Sequence, residues 1–228
     1  MRSRIISLFV LCLLSSLSFS APGQEKGGRG IPDDVYYLMP SFTKGMIYFT
    51  GRAPAQGMLN ICAVDNTLRF LDKSGKELVA ENADDVFKVV LDSVVFIRDG
   101  GVFYRMYPVS DGLGIALRRE VRIIRGAKEG AYGTMSQTSS IKQYDVIYSD
   151  GVAYDLDKDS DVPFEVSESC SFYKEGKVYP LTKKNLRKCF PERKVEIDAY
   201  LKSGRSIPGD LGEACGFISR LESNQPLF

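Results

Sequence analysis

The chain is a succession of short apolar and aromatic runs, each stopped by a glycine-bearing turn, and this pattern limits what it can fold into. From Asp33 to about Leu181 the runs include MIYF (46–49), MLNICAV (58–64), TLRFL (67–71), VFKVVL (86–91), VVFI (94–97), VFYRMYPV (102–109), YDVIY (144–148), VAYDL (152–156), SFY (171–173) and KVYPL (177–181). Val, Ile, Phe and Tyr suit the pleated, half-buried surface of a strand. The intervening Lys-Ser-Gly, Asp-Gly, Ser-Asp-Gly and Glu-Gly turns suit tight hairpins. Outer-membrane barrel strands need roughly ten residues of strict apolar–polar alternation. VFKVVLDSVVFI is too short between turns and too apolar on both faces for that. The expectation is an antiparallel, hairpin-built β body over 33–181. Glycines at 51, 75, 100, 126, 151 and 176 recur every 24 or 25 residues. A unit of two short strands and two turns would generate that period, and so would any meander with similar loops.

Past Leu181 the period changes. Thr182 can cap a short helix over 183–189, and Pro191 suits the first turn of a second, which runs to about Lys202 and stops at Gly204. Ile197, Tyr200 and Leu201 form its inner face. Ile207, Leu211, Ala214, Ile218 and Leu221, spaced 4, 3, 4 and 3, make the apolar stripe of a third helix. The fold class is therefore α+β: mostly antiparallel β, with a helical segment over 182–228.

The other end has a different character. Arg2 and Arg4 precede a ten-residue apolar stretch, Ile5 to Leu14, and Ser18-Phe19-Ser20 places small residues ahead of Ala21. This is the layout of a secretory signal peptide over 1–20, and ten apolar residues fall short of the roughly 20 that span a bilayer. The chain is expected to be exported, to the periplasm or beyond. Residues 21–32, rich in Gly, Pro and charge, read as a flexible leader. Loss of Arg2 and Arg4 would move the net charge from +1 to −1. That balance offers nothing to a nucleic acid, and no second long apolar segment offers a transmembrane span.

The chain contains no His, which removes His-based nucleophile activation, His general bases and His-ligated metals. No cofactor motif is present, and no cofactor is expected. Past the leader the cysteines are Cys62, Cys170, Cys189 and Cys215. An exported chain can pair them, in three connectivities. Cys189–Cys215, both in the helical tail, is one candidate bridge, and small buried apolar residues are the other reading.

LNICAVDNTLRFLDKSGKELV, GAYGTMSQTSSI and KCFPERKVEIDAYLK resemble stretches of uncharacterised exported proteins common in Bacteroidetes. Those proteins pair a hairpin-rich body with an FP-x-x-K helical tail, and the resemblance implies that architecture and no activity. FLDKSGKELVAENADDVFKV is also similar to one WG-type repeat, a β-roll binding module, although the chain has no Trp.

Four constellations could carry chemistry. Asp157, Asp159, Asp161, Glu165 and Glu168 occupy positions 1, 3, 5, 9 and 12 of a calcium-loop spacing, but Val162 stands where the sharp turn requires Gly. The alternative is a solvated acidic loop. Ser41–Lys44 and Ser139–Lys142 match a Ser-Lys dyad spacing without the helix start and buried Lys that it needs. Arg118, Arg119, Arg122 and Arg125 could form an anion patch or simply a solvated strand face. Tyr residues are the best binding signal, since their flat amphipathic rings suit carbohydrate or protein contact, although core packing explains them as well. The candidate ligand residues are Tyr104 and Tyr107 with Tyr132, Ser136 and Gln137 of the polar 130–141 stretch. The function read from these features is a non-enzymatic binding module of unknown ligand, with carbohydrate or another envelope protein as possible partners. The alternatives are a His-free, carboxylate-based hydrolase of glycosidase type and a structural part of an envelope assembly.

Overall fold

The structure is a computed structural model that describes residues 31–81, 83–123 and 164–227. The runs at 144–148 and 152–156, the glycines at 126 and 151, and the 1–20 segment lie outside the described residues. Ten strands form one antiparallel sheet. They are β1 (Thr43–Phe49), β2 (Ala55–Ile61), β3 (Leu68–Leu71), β4 (Glu77–Val79), β5 (Val86–Leu91), β6 (Val94–Asp99), β7 (Val102–Ser110), β8 (Leu113–Ile123), β9 (Phe164–Lys174) and β10 (Lys177–Pro180). The helices are α1 (Asp33–Tyr36), α2 (Lys183–Cys189), α3 (Lys194–Lys202) and α4 (Leu211–Glu222).

The sheet order is β10-β9-β8-β7-β6-β5-β1-β2-β3-β4. Consecutive strands pair side by side except at one point, where the chain leaves edge strand β4 and returns to pair β5 with β1; the residues that link β8 to β9, 124–163, lie outside the described residues. Gly51, Gly75, Gly100 and Gly176 each stand at a hairpin turn with positive φ, a conformation that costs Gly nothing. Gly100-Gly101 and Glu175-Gly176 have positive φ at both central residues, the turn whose twist matches paired strands. The content between these glycines is not constant. Two strands separate Gly51 from Gly75, and three separate Gly75 from Gly100. The period belongs to the turns and not to a repeated unit of structure.

Cross-strand register places Leu78, Phe70, Leu59, Ile47, Val89, Phe96, Tyr107, Ile115, Phe172 and Tyr179 on one face of the sheet. The sheet curls to enclose that face. The β4–β5 link, Ala80 to Asp85, is six residues long and must bridge four strand spacings, about 19 Å if flat. On the other side, the edge amide of Val178 in β10 donates to Asp99 Oδ2 at the end of β6 (2.9 Å), across the same number of spacings. One core gathers Leu59, Ile61, Leu68, Val86, Val89, Leu91, Phe96 and Phe103. A second lies where the helices cover β7–β9, with Ile115 and Phe172 packed on Leu186, Phe190, Ile197, Phe217, Ile218 and Leu221. Each fully buried Leu, Ile or Phe contributes roughly 1.5–3 kcal/mol.

The helix ends follow their capping residues. Thr182 Oγ1 accepts from the Asn185 amide (3.3 Å), and Asp210 Oδ1 accepts from the Gly212 and Glu213 amides (2.8 and 3.2 Å). The third helix accordingly starts at Leu211, and Ile207 packs on the core from the irregular segment ahead of it. Pro191 opens a 3₁₀ turn to Arg193 before α3 begins. Arg193 is buried, and its guanidinium donates to the carbonyls of Arg220, Leu221 and Gln225 (3.1, 3.0 and 2.7 Å) and to Glu196 Oε2 (2.8 Å). A cation thus caps the C-terminal end of α4, where unpaired carbonyls and the helix dipole favour it. Ile31, ahead of α1, is also buried, against Tyr36, Tyr37 and Cys62. No helix among the described residues is long and apolar enough to cross a membrane.

Where β1 pairs beside β5, Gly45 has no room for a side chain. A Cβ there would sit 2.6 Å from Leu91 Cδ2 and 2.7 Å from the Val90 carbonyl oxygen. Gly45→Ala is expected to destabilise the protein by about 1–3 kcal/mol in urea unfolding, as overpacking does. Gly209→Ala, with nothing near its Cβ, should leave the midpoint unchanged. Equal midpoints for both variants would contradict the close approach of β1 and β5.

Candidate functional site

The curl leaves a cleft where β3 and β4 face β1 and the start of β5. Its volume is about 640 Å³, within the 300–1,000 Å³ usual for small-molecule sites. Ile47 and Phe49 of β1, Leu68 and Phe70 of β3, Leu78 of β4 and Val86 of β5 supply an apolar lining. The β4–β5 link forms one wall, through Ala80, Glu81 and Ala83. That wall is fixed at both ends, at its start by the Ala80 amide, which donates to the Leu68 carbonyl (2.8 Å). The Thr50 amide donates to the Asp85 carbonyl (2.8 Å), and Arg98 Nη1 donates to the Ala83 carbonyl (2.6 Å).

Arg52, from the β1–β2 turn, stands at the rim. Its guanidinium carbon lies 3.6 Å from the Phe49 ring centroid, and it grips Asp85 through Nε–Oδ2 (2.6 Å) and Nη2–Oδ1 (2.9 Å). About half of the Arg52 side chain remains accessible, at 53%. An exposed pair of this kind adds at most about 1 kcal/mol to stability, so its chief effect is to hold a cation over the cleft mouth. Glu81 is the one carboxylate among the lining residues.

The residues singled out from the sequence are dispersed. Tyr104 and Tyr107 lie three apart on β7 and therefore on opposite faces, so they make no shared platform. Tyr107 packs on the helical core with Arg105 5.3 Å from its ring centroid, and burial raises the Tyr104 pKa. None of the described tyrosines is exposed; Tyr179, for one, stacks on Phe172 at 5.3 Å. Glu168 of β9 faces Arg119 (3.4 Å). Tyr132, Ser136, Gln137, Asp157, Asp159, Asp161, Arg125 and the Ser139–Lys142 pair lie outside the described residues. Arg118 and Arg122 both pair with Glu120 (3.2 and 2.9 Å), so the arginine face of β8 carries its own counter-charge. Ser41 and Lys44 are both exposed, with Lys44 on a strand, the wrong setting for a dyad. No group of three or more Cys, Asp or Glu among the described residues could hold a metal ion.

All four described cysteines are free thiols. The Cys189–Cys215 bridge is not formed. Cys189 ends α2 near Lys174 and Lys188, whereas Cys215 on α4 has Asp210 as its charged neighbour and itself acts on Cys170 of β9. Cleft and rim were missed in the sequence because the cleft draws on four strands that only the β4–β5 return brings together. Comparison with known proteins returns nothing: no family model fits the chain, and no curated protein or solved structure matches it.

Cys62, beside the cleft-bearing half, is fully buried. Burial, and then the Asp65 charge, push its thiol pKa up to about 12 from 9.0. A folded pKa above the unfolded one stabilises the fold below pH 9, and that contribution is lost as pH rises from 9 toward 12. Cys62→Ala should therefore show a shallower alkaline loss of urea midpoint than the parent. Parallel profiles across that window would contradict a buried neutral thiol.

Proposed function

We propose that the protein is an exported, non-enzymatic binding module whose site is the cleft between β4, β1 and β5. The ligand class is a small, mainly apolar molecule carrying one anionic or hydrogen-bond-accepting group. The carrying observation is the pairing of an aliphatic and aromatic lining with one accessible guanidinium at the mouth. Apolar lining supplies affinity in proportion to the area removed from water, and a few placed polar groups supply orientation. Export rests on the layout of residues 1–20.

A carboxylate hydrolase fits this cleft poorly. Glycosidic hydrolysis needs two carboxyl groups about 5–10 Å apart across the scissile bond. Among the described residues Glu81 is the only carboxylate lining the cleft, and neighbouring Asp85 is already gripped by Arg52. With no His in the chain, no imidazole can take over the acid–base work.

Anilinonaphthalene sulfonate, an apolar ring system with one anionic group, is a suitable probe. Native protein is expected to bind it at one saturable site by fluorescence. Ala83→Phe, which fills the cleft from its wall, should weaken that binding by roughly tenfold or more, a change of about 1.4 kcal/mol or more, with the urea midpoint unchanged. Absence of saturable binding, or equal binding by Ala83→Phe, would overturn the proposal.

A further inference from the structure

The overall charge of +1 conceals a strong local imbalance. Residues 183–205 hold eight basic and three acidic side chains. Five of the basic ones, Lys183, Lys184, Arg187 and Lys188 of α2 with Lys194 of α3, line a hollow of about 490 Å³. Among the described residues only Lys and Arg line it. Asp198 on α3 reaches Lys183 (3.0 Å) and Arg187 (3.6 Å) and braces the two helices. Lys184 and Lys194 have no carboxylate partner among the described residues, and Lys188 only overhangs the Tyr179 ring at 5.9 Å.

This arrangement opposes the stability of α2. Lys183 and Arg187, like Lys184 and Lys188, are like charges at i,i+4, which repel on a helix. The first turn carries lysines and no acidic residue, against the helix dipole. One carboxylate against five cations leaves four positive charges around one concavity. A carboxylate ligand would neutralise one of them. Ammonium groups are compact, strongly hydrated point charges that suit multi-oxygen anions. We propose that this hollow binds a small anion bearing two or more phosphate groups, either free in solution or as the headgroup of a lipid. The site is separate from the apolar cleft, on the helical side of the sheet, and the proposal does not depend on the cleft's function.

The test titrates tripolyphosphate into the full chain by calorimetry at low salt. One saturable site is expected. Lys184→Gln with Lys194→Gln should weaken it roughly tenfold or more while the far-UV spectrum stays unchanged, since two of the charges facing the anion are removed. Lys73→Gln with Lys76→Gln removes equal charge from the exposed β3–β4 turn and should leave the affinity unchanged. Non-saturable binding, or equal weakening in both double variants, means diffuse charge attraction and overturns the proposal. Vesicles doped with a bisphosphorylated lipid separate the two sources. Vesicle binding that tripolyphosphate displaces assigns the headgroup, and tripolyphosphate binding without vesicle binding assigns a soluble anion.

Discussion

Ten strands turn their apolar side chains to one face of one sheet, and that face must leave water. A flat sheet of this width would expose it. Two solutions operate side by side. Over β1–β6 the sheet curls on itself, and Leu59, Leu68, Val89 and Phe96 meet across the concavity. Over β7–β9 the helical tail covers it, with Phe217 and Ile218 seated on the strands that carry Ile115 and Phe172. Curl and helices are one response to one constraint. The edges that remain are short: β4 has three residues, and β10 has four and ends in Pro180. Short edges offer little backbone to an intruding strand.

Buried polar groups then fix the register of what burial alone would leave loose. Asn60 is fully buried and holds both the amide and the carbonyl of Met39 (3.1 and 3.0 Å), tying the segment after α1 to β2. Arg69 is paired with Asp65 and lies near Glu77, which accepts from the Tyr37 hydroxyl (2.7 Å). Arg193 gathers the chain after α4, and Glu196, which it binds, accepts from the Leu227 amide (2.8 Å). A buried charge is tolerated only when its donors are met, and breaking such a pair costs about 3–5 kcal/mol.

Local signals made much of this legible in the sequence. Hairpins show because β-branched and aromatic runs alternate with turn residues, and VFKVVL is β5 residue for residue. Thr182 marks its helix because a hydroxyl at that position accepts an orphan amide. What could not be read is non-local. The return from β4 to β5 depends on the curl, so the cleft, Arg52 over Phe49 and the Asp99 contact have no linear signature. Tyr104 and Tyr107 look like a binding pair in the sequence, yet strand geometry sends them apart. The lysines of α2 disappear into a balanced net charge, and it is the packing of α2 and α3 that sets them around one hollow with Lys194.

The same sheet that folds over the cleft also bends between β6 and β10, and that bend can be read at one atom. Val178 is on an edge strand, where an amide facing solvent exchanges freely. Here it donates to Asp99 from the far side of the sheet. Amide hydrogen exchange by NMR should find Val178 protected in the native protein and exposed in Asp99→Ala, with the β5 and β6 amides unchanged. Free exchange at Val178 in the native protein would contradict the account.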